Sequence, residues 1–367
     1  MTEVLYTTFA AATPHFTSVG DIFDQWLKRV PCAVSTERPQ NEKQLFRQLV
    51  SGALSPLLAQ VDNHQKCGFV LASAKGNMGE LQEWLDAAGG FIDSAAAAAG
   101  PPTLAACASA VAAEVGLSGP VYAISTACSS GLSGLIEAIF MVQSGFLDEV
   151  LILAVDIAGG FVQDGFAALK AVSANVCRPF DQDRDGLVPG SAAAGCLLQR
   201  DAIFKSRSRP AHACRVCGWG ASMDAVHLTA PDREAAGLVR AIEMALSTGG
   251  LSAVQIDCIM AHGTGTKFND AMEAAAIKKI FAASPAITGS KGIVGHTLGA
   301  SGLLEAALAA EIFDRGIIPP LGGLIRPEWP DLDFVMSARH FSPPIRILKT
   351  SSGFGGINAA VVLESLP

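Results

Sequence analysis

Residues Val121 to Val155 read VYAISTACSSGLSGLIEAIFMVQSGFLDEVLILAV. The stretch opens on a short apolar run and closes on a bare apolar strand, Val150 to Val155. Between them Leu132, Leu135, Ile136, Ile139 and Phe140 recur at helical spacing, and Gly145 stands where such a helix would end. The pattern predicts a buried strand, a turn and a buried helix, with Cys128 at the turn. Unpaired N–H groups and the positive end of the helix dipole would face the sulfur there. That setting favours thiolate over thiol, so Cys128 is a candidate nucleophile rather than a small core residue.

The second half of the chain repeats the device. Gly131-Leu-Ser-Gly-Leu-Ile-Glu-Ala138 recurs as Gly299-Ala-Ser-Gly-Leu-Leu-Glu-Ala306. The shift that carries Gly131 onto Gly299 carries Cys128 onto His296. An internal duplication therefore places a candidate nucleophile and a candidate base in equivalent slots.

Working outward, strands alternate with helices along the whole chain, which predicts an α/β fold, largely parallel within each half. Strands are expected at Val4 to Phe9, Cys67 to Ser73, Ala192 to Gln199, near Cys214, at Ile256 to Ala261 and at Ala360 to Glu364. Helices are expected near Ile22 to Arg29, over Glu42 to Ala59, near Leu81 and Trp84, over Thr103 to Val115, Phe161 to Leu169 and Glu234 to Thr248, and around Asp270 and Glu273. Gly76 to Gly79 reads as a loop, Ser94 to Ala99 as helix or packed loop, and Arg178 to Gly186 as a charged loop. No linker separates the halves, 1–205 and 206–367, so they are expected to fuse around one core.

Composition narrows the function. A chain of 367 residues with 50% hydrophobic content buries a large core. Only 16% of residues are charged, so part of the surface is expected to be covered by another subunit. A net charge of −8 without basic runs argues against nucleic acid. No apolar run reaches the ~20 residues that span a bilayer. Met-Thr-Glu-Val at the start lacks the order of a signal peptide, so the nine cysteines are read as reduced cytoplasmic thiols. Cys214 and Cys217 have CxxC spacing, but on a strand i and i+3 face opposite sides, and no metal is expected there.

Other candidates surround the cysteine. His262 follows a buried strand and leads into Gly263-Thr264-Gly265-Thr266, with room for backbone approach and two hydroxyls. Lys291 and Glu273 are read as a buried supporting pair for the histidines. Gly353-Phe354-Gly355-Gly356 reads either as a tight turn or as a loop that lends a backbone N–H to an oxyanion hole, with Phe354 as a cover. A thiolate with two histidines suits acyl transfer. Two histidines without an activated water suggest that charge develops on a second substrate's carbonyl.

These motifs resemble the elongating β-ketoacyl-acyl carrier protein synthases, the condensing enzymes of the thiolase superfamily. The resemblance runs through TACSSG at Cys128, RPFDQDRDG from Arg178, DAVHLTAPD from Asp224, HGTGT from His262, KGIVGH ending at His296 and GFGGIN from Gly353. It implies a thiolase-like fold of two duplicated halves in five α-β-α-β-α layers. It further implies that Cys128 takes an acyl chain from an acyl carrier protein, that His262 and His296 assist decarboxylation of a malonyl unit, and that Lys291 and Glu273 keep them positioned. The N–H groups of Cys128 and Phe354 would form the oxyanion hole, and Thr264 and Thr266 would bind the phosphopantetheine arm. No metal or other cofactor is implied. A homodimer, or a heterodimer with a related ketosynthase or chain-length-factor subunit, is expected; a chain-length factor and a cysteine acyl hydrolase are the rival readings. Lys43, Arg47 and Arg184 are the candidates for carrier-protein docking. The chain departs from the family pattern in a short segment before Glu42, in Ser191 for an acidic residue and in Ser352 for a phenylalanine. Its compact RDGL loop and the lack of an insert before Arg178 are similar to ketosynthases of aryl polyene clusters.

Overall fold

In a computed structural model, residues 4–29, 39, 41–76, 103–206 and 208–367 are described. The expected helix at Leu81 and Trp84, the alanine-rich 94–99 and residues 77–79 of the glycine loop lie outside them. The first half contains β1 (Leu5–Ala12), α1 (Val19–Leu27), α2 (Glu42–Leu58), β2 (Gly68–Ala72), α3 (Leu104–Glu114), β3 (Val121–Ile124), α4 (Ser130–Gln143), β4 (Glu149–Asp156), α5 (Gly160–Ala168), β5 (Ala192–Arg200) and α6 (Asp201–Lys205). The second contains β6 (Ala213–Met223), α7 (Ala236–Gly249), β7 (Cys258–Met260), α8 (Lys267–Ile280), β8 (Ala286–Thr288), α9 (Lys291–Val294), α10 (Ser301–Arg315), the short strands β9 (Ile317–Ile318) and β10 (Arg339–His340), β11 (Arg346–Gly353) and β12 (Ile357–Ser365).

Strand order shows the duplication. The first half runs β3-β2-β4-β5-β1 and the second, read from its own outer edge, β8-β7-β11-β12-β6. In the first, β2 is parallel to β3 and β4, whereas β5 is antiparallel to β4 and β1. In the second, β7 is parallel to β8 and β11, whereas β12 is antiparallel to β11 and β6. The halves join where β1 pairs antiparallel with β6, Leu5 opposite Val216.

Helices α4 and α10 touch strands of both halves and form the middle layer. They carry the duplicated motif, and its glycines explain their close approach. A Cβ on Gly131 would lie 2.8 Å from the Gly299 carbonyl oxygen, and one on Gly302 would lie 3.0 Å from Leu132. Outer layers are α2 and α3 on the first half and α7 and α8 on the second. The result is the five-layer thiolase-like arrangement.

Two expectations are overturned. Each half is mixed rather than largely parallel, with two parallel and two antiparallel strand pairings. β3 is an edge strand with Val121 and Tyr122 36% and 38% exposed, not a buried one. Among the described residues it has a single strand neighbour, β2, and none of them pairs with its other edge. Among the described residues no helix is long and apolar enough to cross a membrane.

Candidate active site

The turn between β3 and α4 is a tight elbow. Ala127 takes a left-handed φ of 50°, unfavourable for a residue with a Cβ. Serines hold it there: Ser129 Oγ donates to Thr126 O at 2.7 Å, Ser130 Oγ donates to Ala127 O at 2.6 Å, and Thr126 N–H donates to Ser130 Oγ at 2.9 Å. Opposite, the turn after β11 comes so near that a Cβ on Gly353 would sit 2.8 Å from Thr126 O. This approach brings the Phe354 N–H onto the Cys128 sulfur, which also receives the N–H of Cys128 itself.

The expected thiolate preference is not what the site gives. Cys128 is 7% exposed, and burial pushes its thiol up to about 12 despite Lys291 and the two N–H groups. Desolvation outweighs the donors, so the resting group is a neutral thiol.

His262 lies just beyond β7, and His296 just beyond α9. Both are buried, with ring centroids 5.4 Å apart and planes at 86°. Their Nδ1 atoms face donors. Lys291 Nζ lies 3.3 Å from His262 Nδ1, and Leu298 N–H donates to His296 Nδ1 at 3.1 Å. An ammonium and a backbone N–H offer only hydrogens, so each Nδ1 is an acceptor and each ring proton is assigned to Nε2. Burial, then the Lys291 charge, hold both rings well below the usual imidazole range, so they are neutral Nε2–H donors.

Lys291 and Glu273 are buried, but not as a pair. Lys291 Nζ bonds Glu305 at 2.8 and 2.9 Å and the His262 carbonyl at 2.6 Å. Glu273 instead accepts the N–H groups of His262 (2.7 Å) and Gly263 (2.8 Å) and the Thr350 hydroxyl (2.6 Å). Helix geometry decides this: α8 runs under the loop after β7, and its carboxylate meets that loop's backbone before it meets α9. Sequence reading missed Glu305 and Lys349. Glu305 repeats Glu137, which is exposed, and only packing in the middle layer distinguishes them. Nothing local marked Lys349: it follows Ile347 and Leu348 and precedes Thr350 to Ser352, a polar stretch that reads equally well as exposed.

Thr264 and Thr266 are joined by a 2.9 Å hydroxyl contact. Their loop is shaped by Asp270, which accepts the N–H groups of Phe180 (2.8 Å), Thr264 (2.9 Å) and Gly265 (3.1 Å). Arg184 is not a surface docking residue. It is buried, donates to the carbonyls of Asp181, Thr266 and Lys267, pairs with Glu328, and lies 4.9 Å over the Trp329 ring. Lys43 is half-buried and Arg47 exposed, both on α2 away from the cavity. Ser191 accepts the Ala158 N–H at 2.9 Å, while Ser352 lines the cavity and donates to Asn358 Oδ1 at 2.7 Å. Cys214 is buried and Cys217 half-buried, as opposite strand faces require.

A cavity of about 470 Å³ connects these groups to solvent. Cys128, His262 and His296 line it together with Thr264 and Thr266, and so does Phe354, 37% exposed and 6.0 Å from the Phe166 ring. One thiol, two backbone N–H groups and two imidazole N–H groups thus converge on one space. That set suits transfer of an acyl group to sulfur, followed by a reaction that puts negative charge on a second carbonyl oxygen.

Comparison with known proteins gives the family. Residues 50–202 match the family described as "Beta-ketoacyl synthase, N-terminal domain", and residues 213–324 match "Beta-ketoacyl synthase, C-terminal domain". The 3-oxoacyl-[acyl-carrier-protein] synthase 2 of Coxiella burnetii is 35% identical over 259 residues, 68% of this chain and 62% of its own length. The tetracenomycin polyketide synthase ketoacyl synthase alpha subunit of Streptomyces glaucescens is also 35% identical, over 69% of this chain and 62% of its own length. The matched region therefore spans less than two thirds of these relatives. A ketosynthase in complex with its chain length factor from Xenorhabdus doucetiae has a similar structure, with a TM-score of 0.84 and 25% identity over 99% of this chain and 98% of that one. With both family domains matched in order on a duplicated thiolase-like fold, the chain belongs to the β-ketoacyl synthase family.

Proposed function

We propose that the protein is a decarboxylative condensing enzyme, a 3-oxoacyl-[acyl-carrier-protein] synthase of fatty acid or polyketide synthesis. The convergence of one thiol and four N–H donors on one cavity carries this reading. Cys128 Sγ attacks the thioester of an acyl-carrier protein, and the thiol proton ends on the departing pantetheine sulfur. The N–H groups of Cys128 and Phe354 receive the tetrahedral oxyanion, each worth roughly 3–4 kcal/mol. Malonyl-carrier protein follows, its arm running along Thr264 and Thr266. The Nε2–H groups of His262 and His296 donate to its thioester oxygen, and the bond to the carboxylate breaks. CO2 leaves, the electron pair passes into the enolate, and the α-carbon attacks the acyl-Cys128 carbonyl. Collapse expels the Cys128 thiolate, which takes a proton from solvent, and the β-ketoacyl chain stays on the carrier. The scheme calls on no metal or other cofactor.

The edge of β3 that no described residue pairs supports a paired assembly, with a second copy or a related chain-length-factor subunit. Retention of Cys128 and both histidines favours the catalytic role over the non-elongating one. Buried thiols such as Cys196, Cys214 and Cys258 are in keeping with the cytoplasm. An aryl polyene-like pathway is the branch that the compact loop after Arg178 favours.

The test is intact mass of wild type and Cys128→Ala after incubation with a panel of acyl-carrier proteins, followed by malonyl-carrier protein. A Cys128-dependent adduct chased into β-ketoacyl-carrier protein is expected. No adduct with any carrier protein, alone or with a partner subunit, would overturn the reading.

A further inference from the structure

Lys349 lies in β11, fully buried, and takes no part in the scheme above. Its ammonium is 2.7 Å from Glu305 Oε2 and points at the carbonyls of Met260 (3.3 Å) and Ala261 (3.4 Å), the two residues before His262. Lys291 holds the same carboxylate from another side. A lysine in a strand interior is costly without a counter-charge, and here the carboxylate is already paired. The groups that face Lys349 are Glu305 on α10, Lys291 on α9, Glu273 on α8, and the two histidines beyond β7 and α9. Two ammonium groups thus meet two carboxylates. Remove Lys349 and one negative charge is in excess directly behind two imidazoles. Protonating a ring would relieve it, but an imidazolium cannot accept from Lys291 or from Leu298 N–H.

We propose that Lys349 is a positioning residue whose charge balances Glu305 and Glu273 and so keeps His262 and His296 neutral Nε2–H donors in fixed orientation. The role rests on the condensing reading of the site. Burial, the largest influence, brings the Lys349 ammonium down to about 8, opposed by Glu305. Its charge is therefore present at neutral pH.

The test compares wild type, Lys349→Met and the double variant Lys349→Met/Glu305→Gln. The ring signals of His262 and His296 are followed by NMR of histidine-labelled protein from pH 5 to 8, beside decarboxylation of malonyl-carrier protein. In Lys349→Met at least one ring should titrate a pH unit or more higher than in wild type. Its decarboxylation kcat should fall roughly tenfold or more, with KM within about twofold. The double variant restores the balance and should return the ring titrations toward wild type, whereas a merely structural lysine would not be rescued by a second buried substitution. Unchanged rings in Lys349→Met, or no return in the double variant, would overturn the proposal. Should Lys349→Met fail to fold, recovery of folding in the double variant supports the balance and failure of both overturns it. Ring titrations are read without turnover, so a wild type that does not decarboxylate malonyl-carrier protein sinks the condensing reading and leaves the charge test standing.

Discussion

At Cys128 burial and backbone donors pull in opposite directions, and burial wins. Alkylation by iodoacetamide should therefore be slow at pH 7 and rise about tenfold per pH unit up to pH 9, because the thiol stays below its midpoint throughout. A rate that levels off near pH 7 would mean a resting thiolate. The histidines carry the opposite sign. Both are held below the ordinary imidazole value, so the neutral donors persist as pH falls through 6.5. Below the Lys349 midpoint of about 8, decarboxylation should stay flat from pH 7 to 6.5 and fall only at lower pH; a half-maximal rate at 6.5 would contradict the assignment. Replacing either His262 or His296 by alanine removes one donor and should cost roughly 10²–10³ in kcat.

At the scale of elements, the loop between β7 and α8 depends on Asp270. Asp270→Ala leaves three backbone N–H groups without their acceptor and should destabilise the fold by about 3–5 kcal/mol in urea titrations. Asp270→Asn keeps one acceptor oxygen and should cost clearly less. A second tie joins the turn before β6 to α10. His212 Nδ1 lies 3.4 Å from Asp314 and 2.9 Å from Glu311, and the proximity of these two carboxylates raises its imidazole to about 9. The folded value lies above the unfolded one, so the stabilisation is complete below pH 6.5 and is lost as pH rises through 9. His212→Ala should cost about 1–2 kcal/mol at pH 6 and almost nothing at pH 10. An equal loss at both pH values would rule out the ion pair as its source.

For the whole molecule, the edge of β3 is the surface to watch. An edge that no described residue pairs, with Val121 and Tyr122 exposed, is a template for a second strand. Tyr122→Asp should shift the particle from paired to single chains of 37.9 kDa by light scattering. A wild type that is already single under the same conditions would remove the reason for that edge.

Local pattern alone determined most of the helices and the longer apolar strands, the duplication, and the cysteine and histidines as candidates, since each rests on spacing within a few turns of chain; it missed β8 and β11, whose short or polar sequences carry no apolar run. The tertiary structure decided what depends on contacts remote in sequence. It exchanged Glu273 for Glu305 as the partner of Lys291, brought Lys349 behind the histidines, buried Arg184, exposed β3, and left Cys128 a thiol. Every one of these turns on desolvation and on which side chain reaches a charge first. Those quantities exist only once α8, α9, α10 and β11 are packed around the same cavity.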